Sequence, residues 1–373
     1  MTWLSIRLDK CAHLESIEMK NCAKYLSIGS ACGFLMMQAA SAQSNITVYG
    51  LIDAGLTWTN TVKTTTGTVS TLKEDTGVSQ GSRLGFRGTE DLGNGVSAGF
   101  ILENGFNLDV GSLGQGGLLF GRKAILSLSS PMGTVILGRQ NDFVGDNFPA
   151  YAVGANTPSG LIGWSIPTYS ASGRTLDNRV WGVCIDNSVK YVSPKINGFS
   201  FGALYGLGEQ TGQTVAKSSN SFGLNYEQGA FSASVATYYQ RDVSTAVGDL
   251  QEVAAGAAYN FEEYRFFGML SKVSASAGTK PTATTADAGV VYNPTPKWAL
   301  GAGLQFQERN NSVGSAKQIT LSADYILSKR TDLYTVVASQ KDDGFNAQVV
   351  AALGSASPSS SQSTIRVGIR HKF

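Results

Sequence analysis

The sequence predicts an all-β fold, a transmembrane antiparallel barrel of about 16 strands. Three observations carry this: the last ten residues, an alternation recurring from Asn45 onward, and the composition. In the terminal stretch Ile365, Val367, Ile369, His371 and Phe373 share one phase of a period-2 pattern, and Thr364, Arg366, Gly368, Arg370 and Lys372 share the other. Side chains alternate across a strand, so one face is mostly apolar and the other polar up to an aromatic carboxy terminus. A strand with lipid on one side and water on the other needs this pattern. An edge strand of a soluble sandwich is the alternative.

Composition favours the barrel. Charged residues make up 15% of the 373, below the roughly 25% of soluble domains. The chain carries 44 Gly, 14 Tyr and 17 Phe against 9 Pro, which suits strands and tight turns. A formal charge of +2 gives no electrostatic footprint for nucleic acid.

Residues 1–42 read as a presequence. Met19 opens an export pattern, with Lys20 and Lys24 ahead of a hydrophobic run from Tyr25 to Met37 and a small-residue cleavage site at Ala40-Ser41-Ala42. Cleavage there starts the mature chain at Gln43. Asp9, Glu15 and Glu18 suit a signal segment poorly, so Met19 is the expected translation start. Four of the 29 basic and three of the 27 acidic residues precede Gln43, leaving a nearly neutral mature chain. Cys184 is its single cysteine, which excludes an intramolecular disulfide. Beyond the presequence no run of 18 apolar residues occurs, so no membrane-spanning helix is expected.

From Asn45 on, apolar phases such as Ile46, Val48, Ile52, Leu56, Trp58 and Trp298, Leu300, Ala302, Leu304, Phe306 face phases of Thr, Ser, Gln, Asp and Gly. The expected strands are 45–58, 82–89, 95–106, 119–128, 133–140, 186–193, 198–207 and 220–228. The second half gives 230–241, 250–260, 264–272, 284–292, 297–308, 317–326, 332–341 and 363–373. Connections alternate in length: Asp91 to Gly95, Pro131 to Gly133 and Pro194 to Gly198 are short, whereas 59–81, 107–118 and 342–362 are long. Short turns belong on the periplasmic side and long loops outside. Residues 141–185 show no strand pattern over some 45 positions, too long for an idle connection.

The segments SNITVYGLIDAGL (44–56), SRLGFRGTEDLGNGVSAGFILENGF (82–106), LFGRKAILSLSSPMGTVILGRQ (119–140), NSVKYVSP (187–194) and the terminal VGIRHKF together resemble the general porins of beta-proteobacteria. The resemblance covers essentially the whole mature chain. It implies a homotrimer in the Gram-negative outer membrane, in contact with its lipid and lipopolysaccharide. Each barrel would have 16 strands and a third extracellular loop folded inward to narrow the channel. It implies passive diffusion of ions and small hydrophilic solutes, no cofactor, and recognition of Phe373 by the barrel-assembly machinery.

Within SRLGFRG, Leu84 and Phe86 occupy the lipid phase, so Arg83, Gly85 and Arg87 point inward. By resemblance Arg83 belongs to a basic pore wall; neutralisation by a structural carboxylate is the alternative. Alternation through Ala124, Leu126 and Leu128 sends Lys123 inward, while the family motif singles out Arg122, and a bulge would admit both. Arg179 resembles a third wall arginine, although residues 181–186 depart from the family spacing. Opposite them the inward loop offers Asp142 and Asp146, which would set up a transverse field; capping of turns is their other reading. So few acids tilt the expected field toward anions. Phe143, Phe148, Tyr151, Trp164 and Tyr169 form either a sugar-stacking track or packing of the loop against the wall.

Catalysis fails on inventory. His371 is the single histidine of the mature chain, so neither a Ser-His-Asp triad nor a multi-histidine metal site can be assembled. A substrate-specific channel for a sugar or anion, and a non-conducting structural or adhesive barrel, are the surviving alternatives.

Overall fold

The computed structural model describes residues 45–153, 182–213, 215–245, 247–310, 314–343, 348–349 and 360–373. The expected presequence and Gln43 lie outside the described residues. The first strands are β1 (Asn45–Thr64), β2 (Gly67–Thr76), β3 (Arg83–Gly93), β4 (Val96–Asn107), β5 (Ser112–Leu113), β6 (Lys123–Ser130), β7 (Gly133–Asn141), β8 (Cys184–Val192) and β9 (Phe199–Gly206). There follow β10 (Ser219–Gln228), β11 (Phe231–Ser244), β12 (Gly248–Phe261), β13 (Tyr264–Ala275), β14 (Thr282–Thr295), β15 (Trp298–Arg309), β16 (Gly314–Ile326), β17 (Thr331–Asp342) and β18 (Ser361–Lys372).

Sixteen of these close into one antiparallel ring, each paired with its neighbour in sequence, with β2 and β5 as side elements. β18 returns to β1 in a register running from Leu51 opposite Lys372 to Thr59 opposite Thr364. The sixteen ring strands fall where alternation expects them. The expected loop 59–81 is a correction: β1 runs on to Thr64 and pairs there with β2. Thr57, Thr59, Thr68 and Thr71 among the paired residues explain this, because Thr is as much a strand former as a loop residue. The expected loop 107–118 likewise holds β5, paired to the end of β4.

The outward phase is apolar and exposed. On β18, Ile365 (45% exposed), Val367 (60%) and Ile369 (46%) look out, while Thr364, Arg366 and Arg370 are buried inside. Aromatic pairs sit on the short-turn side of the wall: Tyr264 stacks on Tyr292 at 4.6 Å between centroids, and Trp298 lies 4.8 Å from Tyr325. Such rings favour the membrane–water boundary. The tight turn between β3 and β4 places Asn94 and Gly95 at φ +53° and +74°, the left-handed conformation that a two-residue hairpin loop requires.

The interior differs between its two halves. β11 to β13 turn Ala236, Ala254, Ala258, Phe267 and Met269 inward, all buried. Against them pack the short helix α1 (Phe143–Asn147) and the turn that follows it to Val153. Inner-face glycines make room: an added Cβ would stand 2.6 Å from Phe143 at Gly223, 2.8 Å from Tyr151 at Gly256 and 2.4 Å from Val153 at Gly303. The opposite half, around β1, β17 and β18, is polar and ionic.

The chain end completes the seam. Gly50 N–H donates to the Phe373 carbonyl (3.0 Å) and Phe373 N–H to the Gly50 carbonyl (3.1 Å). The Phe373 ring covers Gly50, where an added Cβ would fall 2.3 Å from the ring and 2.6 Å from the Arg83 carbonyl. Gly50→Val is therefore expected to cost about 1–3 kcal/mol by overpacking, read as a lower temperature for the loss of heat-resistant, compact migration on a gel.

Candidate functional site

β3, β4 and β6 bring their inward residues together around a cavity of about 390 Å³ lined by Tyr49, Arg83, Glu103, Arg122, Lys123 and Cys184, among others. The β4–β6 register sets Glu103 opposite Lys123. Glu103 is the organising acid: its Oε2 accepts from Tyr49 Oη at 2.9 Å and its Oε1 from Arg122 Nε at 2.7 Å. Arg122 stands one residue before β6 begins, with its N–H on the Glu103 carbonyl at 3.2 Å. The strand starts at Lys123, so no bulge is needed for Arg122 and Lys123 to reach the same cavity.

Arg83 and Lys123 have no carboxylate within 4 Å among the described residues. The cavity thus sets three cations against the single carboxylate of Glu103. Arg87 lies over the Tyr49 ring at 5.2 Å. Arg139 is placed between the Gly121 carbonyl (2.7 Å) and Asp186.

The two loop acids fall elsewhere. Asp142 is fully buried and caps α1, accepting from Gly145 N–H at 2.7 Å and Val183 N–H at 3.0 Å. Asp146 pairs with Lys190, whose ammonium also donates to the Asn141 carbonyl at 3.1 Å and lies 4.2 Å from the centre of the Phe143 ring. Of the residues expected at the constriction, the fold therefore gathers Arg83, Arg122 and Lys123, sets Asp142 and Asp146 apart with α1, and leaves Arg179 outside the described residues. Trp164 and Tyr169 lie outside them as well. Cys184 is the first residue of β8 and not a loop residue; its thiol lies 3.3 Å from Asn141 Oδ1.

Beside the cavity stands an ionic hub that local pattern did not single out. Arg366, fully buried, donates to Tyr334 Oη and Thr57 Oγ1 (2.7 Å each), to Asp75, and to Asp53 at 3.4 Å. Asp53 also accepts from Tyr334 and from the Ser79 and Gln80 amides at 2.9 and 2.8 Å. Segment 77–82 is thereby tied to the inner wall, with Val78 buried against Tyr334, Val336 and Ala338. Arg370 extends the network through Asp332 (3.0 Å), Asp324 (3.4 Å) and the Gln80 amide oxygen (3.1 Å). Parity predicts that Arg366 and Arg370 face inward; their partners come from strands brought close only by ring closure.

An apolar exterior, sixteen paired strands and a cation-bearing interior define a channel-forming barrel of the membrane-spanning class. The chain belongs to the Gram-negative porin family, whose model matches residues 31–344. It is 32% identical over 356 residues to outer membrane porin protein 32 of Delftia acidovorans, covering 90% of this chain and 96% of that one. It is 27% identical over 394 residues to an outer membrane porin protein of Bordetella pertussis, again covering 90% and 96%. The solved structure of the anion-selective porin from Comamonas acidovorans matches with a TM-score of 0.75 at 26% identity, covering 89% of this chain and all of that one. OmpT of Vibrio cholerae shares the fold alone, with a TM-score of 0.63 at 14% identity over 90% of this chain and all of that one. Membership places the protein in the outer membrane as a porin-type channel, not an enzyme.

Proposed function

We propose that the protein passes ions and small hydrophilic solutes by passive diffusion, with a preference for anions. The observation that carries this reading is the cavity in which Arg83, Arg122 and Lys123 face the single carboxylate of Glu103. Fixed cations in a narrow, low-dielectric passage raise the local concentration of anions. The matching Comamonas structure is described as an anion-selective porin, which agrees with it. In this reading α1 and the turn to Val153 form the inward-folded third loop that narrows the lumen, and the barrels assemble as homotrimers. Contact with lipopolysaccharide, and delivery by an assembly machinery that reads Phe373, belong to the same proposal.

The rival sugar-stacking track finds no support in Phe143, Phe148 and Tyr151. All three are buried, with Phe143 and Tyr151 against wall glycines, so they offer no free ring face. Planar-bilayer conductance of the Gln43–Phe373 protein, with the reversal potential in a salt gradient, tests the proposal. Steps in triplets with an anion-directed potential are expected. Silence from an inserted, folded barrel would reject it in favour of a structural or adhesive role, and saturable block by one solute would favour a specific channel.

The loop assignment has its own test. At Gly223 the three atoms nearest an added Cβ all belong to the Phe143 side chain, so Gly223→Val should loosen α1 while leaving the β10 ladder intact. Single-channel conductance is expected to rise by tens of per cent; an unchanged value in a folded barrel would detach α1 from the narrowing.

A further inference from the structure

β2 and β3 pair with successive stretches of one edge of β1, and the ladder breaks between them. β2 ends with Thr76 opposite Ala54, and β3 resumes with Arg83 opposite Leu51. On β1 those partners are separated by Ile52 and Asp53, two residues, against the six residues 77–82 on the facing side. A continuous ladder needs equal numbers, so 6 − 2 = 4 residues are surplus, more than the one extra residue of a common bulge. The surplus folds into the lumen.

Hydrogen bonds and an apolar anchor hold this strap to the wall. The Gly77 N–H donates to the Asp53 carbonyl at 2.9 Å, and the Ser79 and Gln80 N–H groups donate to the Asp53 carboxylate at 2.9 and 2.8 Å. Arg370 Nη1 donates to Gln80 Oε1 at 3.1 Å. Val78 is buried against Tyr334, Val336 and Ala338. These anchors belong to β1, β17 and β18, behind the strap, and Asp53 lies near the middle of β1.

The place of the strap in the ring gives it a counterpart. β3, β4, β6, β7, β8, β9 and β10 separate β1 from β11 one way round, and β12 to β18 the other way, seven strands each. β11 is a strand that α1 reaches, through Asn147 Nδ2 and Ser234 Oγ at 3.1 Å. Strap and helix therefore enter the lumen from opposite walls. The bare face of the strap is turned to the cations: Gly77, Gln80 and Gly81 line the cavity of about 390 Å³ with Arg83, Arg122 and Lys123. A Cβ added at Gly81 would meet the Arg122 guanidinium, with Nη1 at 3.1 Å, and nothing else within 4 Å. Glu103 holds that guanidinium through Nε at 2.7 Å, and the missing side chain at position 81 leaves its Nη1 edge open to the passage.

We propose, on the reading of the protein as an anion-preferring channel, that segment 77–82 is a second constriction element opposed to α1, and that Gly81 sets both the width of the passage at Arg122 and the access of permeating anions to that residue. Wall packing alone does not account for the strap, because its anchors lie behind it while a glycine faces the cavity. A side chain at position 81 would fill the passage at its cationic wall, and a negative one would pair with Arg122 and cancel part of the field that draws anions in.

The test uses Gly81→Cys in a Cys184→Ser background of the Gln43–Phe373 protein, where the introduced thiol is the single one. Folding is checked by heat-resistant migration, and channels in a planar bilayer are read before and after a small sulfonate-bearing thiosulfonate reagent. The adduct places bulk and a negative charge against Arg122, so single-channel conductance is expected to fall by about half and the anion-to-cation permeability ratio by about fivefold. Thr66→Cys in the same background, at the exposed tip of the β1–β2 hairpin, should take up the reagent with neither change. Gly81→Asp, which needs no thiol, should lower the ratio by a similar factor. Full modification, read as the mass of one adduct per barrel, with conductance and reversal potential unchanged would overturn the proposal, and so would a thiol that the reagent fails to reach in a folded, conducting barrel. A wild type that does not conduct would remove the channel reading itself, whereas a conducting wild type beside an indifferent adduct would overturn the role of the strap alone.

Discussion

Replacing both Arg83 and Lys123 by glutamate is expected to turn an anion-preferring channel into a cation-preferring one. The cavity would pass from three cations and one carboxylate to one cation and three carboxylates. A unit charge at about 4 Å contributes roughly 1 kcal/mol even at the permittivity of water, and more in a confined lumen. Two reversals therefore shift the anion-to-cation permeability ratio by about tenfold or more, which reverses the sign of the zero-current potential in a salt gradient. Arg122 is the less informative target because Glu103 already pairs with it at 2.7 Å. The effect should shrink as salt rises, since screening reaches about 10 Å at 0.1 M and 3 Å at 1 M. An unchanged reversal potential in folded Arg83→Glu/Lys123→Glu channels would remove this cavity from the selectivity path.

Arg366→Ala is expected to have the largest effect on stability. The guanidinium is fully buried and serves Asp53, Asp75, Tyr334 and Thr57 at once. Removing it strands two carboxylates, one of them fully buried, a change that typically costs about 3–5 kcal/mol. Thermal unfolding in detergent, followed by loss of β-sheet signal, reads it directly. Arg366→Met combined with Asp53→Asn should recover part of the loss by removing the stranded charge along with its partner. A variant as stable as wild type would show that the hub is not a stability element. Arg366→Lys should fall between, because an ammonium cannot reproduce the planar fork that spans Asp53 and Asp75.

The strands were legible because a membrane barrel writes both of its solvents into the chain. Trp298, Leu300, Leu304 and Phe306 alternate with Ala299, Gln305 and Gln307, and the structure separates them onto opposite faces. The same parity put Arg83 and Lys123 inside. What it could not supply was partnership. Glu103 meets Arg122 across a register between β4 and β6, and Arg366 meets Asp53 from 313 positions away, so neither pairing leaves a mark in any local window. Asp142 illustrates the opposite difficulty. An acid ahead of Phe143-Val144-Gly145 reads equally as a pore-lining charge or as a helix cap, and only the positions of the Gly145 and Val183 amides place it in the cap. β2 was hidden in a threonine-rich stretch whose residues serve a strand and a loop alike.

The closing seam between β1 and β18 also sets the order of events when the protein is made. Its two edges belong to the first and last described strands, so the edge of β1 that meets β18 stays an unpaired template until Ser361–Lys372 has been synthesised. Contacts of such separation form late and slowly, and an open sheet of this length is prone to pairing with the wrong chain. Arg366 sits on the final strand, while Asp53 and Asp75 wait on β1 and β2. The two carboxylates are thus neutralised only in the act of closure. The seam is a ratchet, indifferent to partial assembly and hard to reopen once the guanidinium is in place.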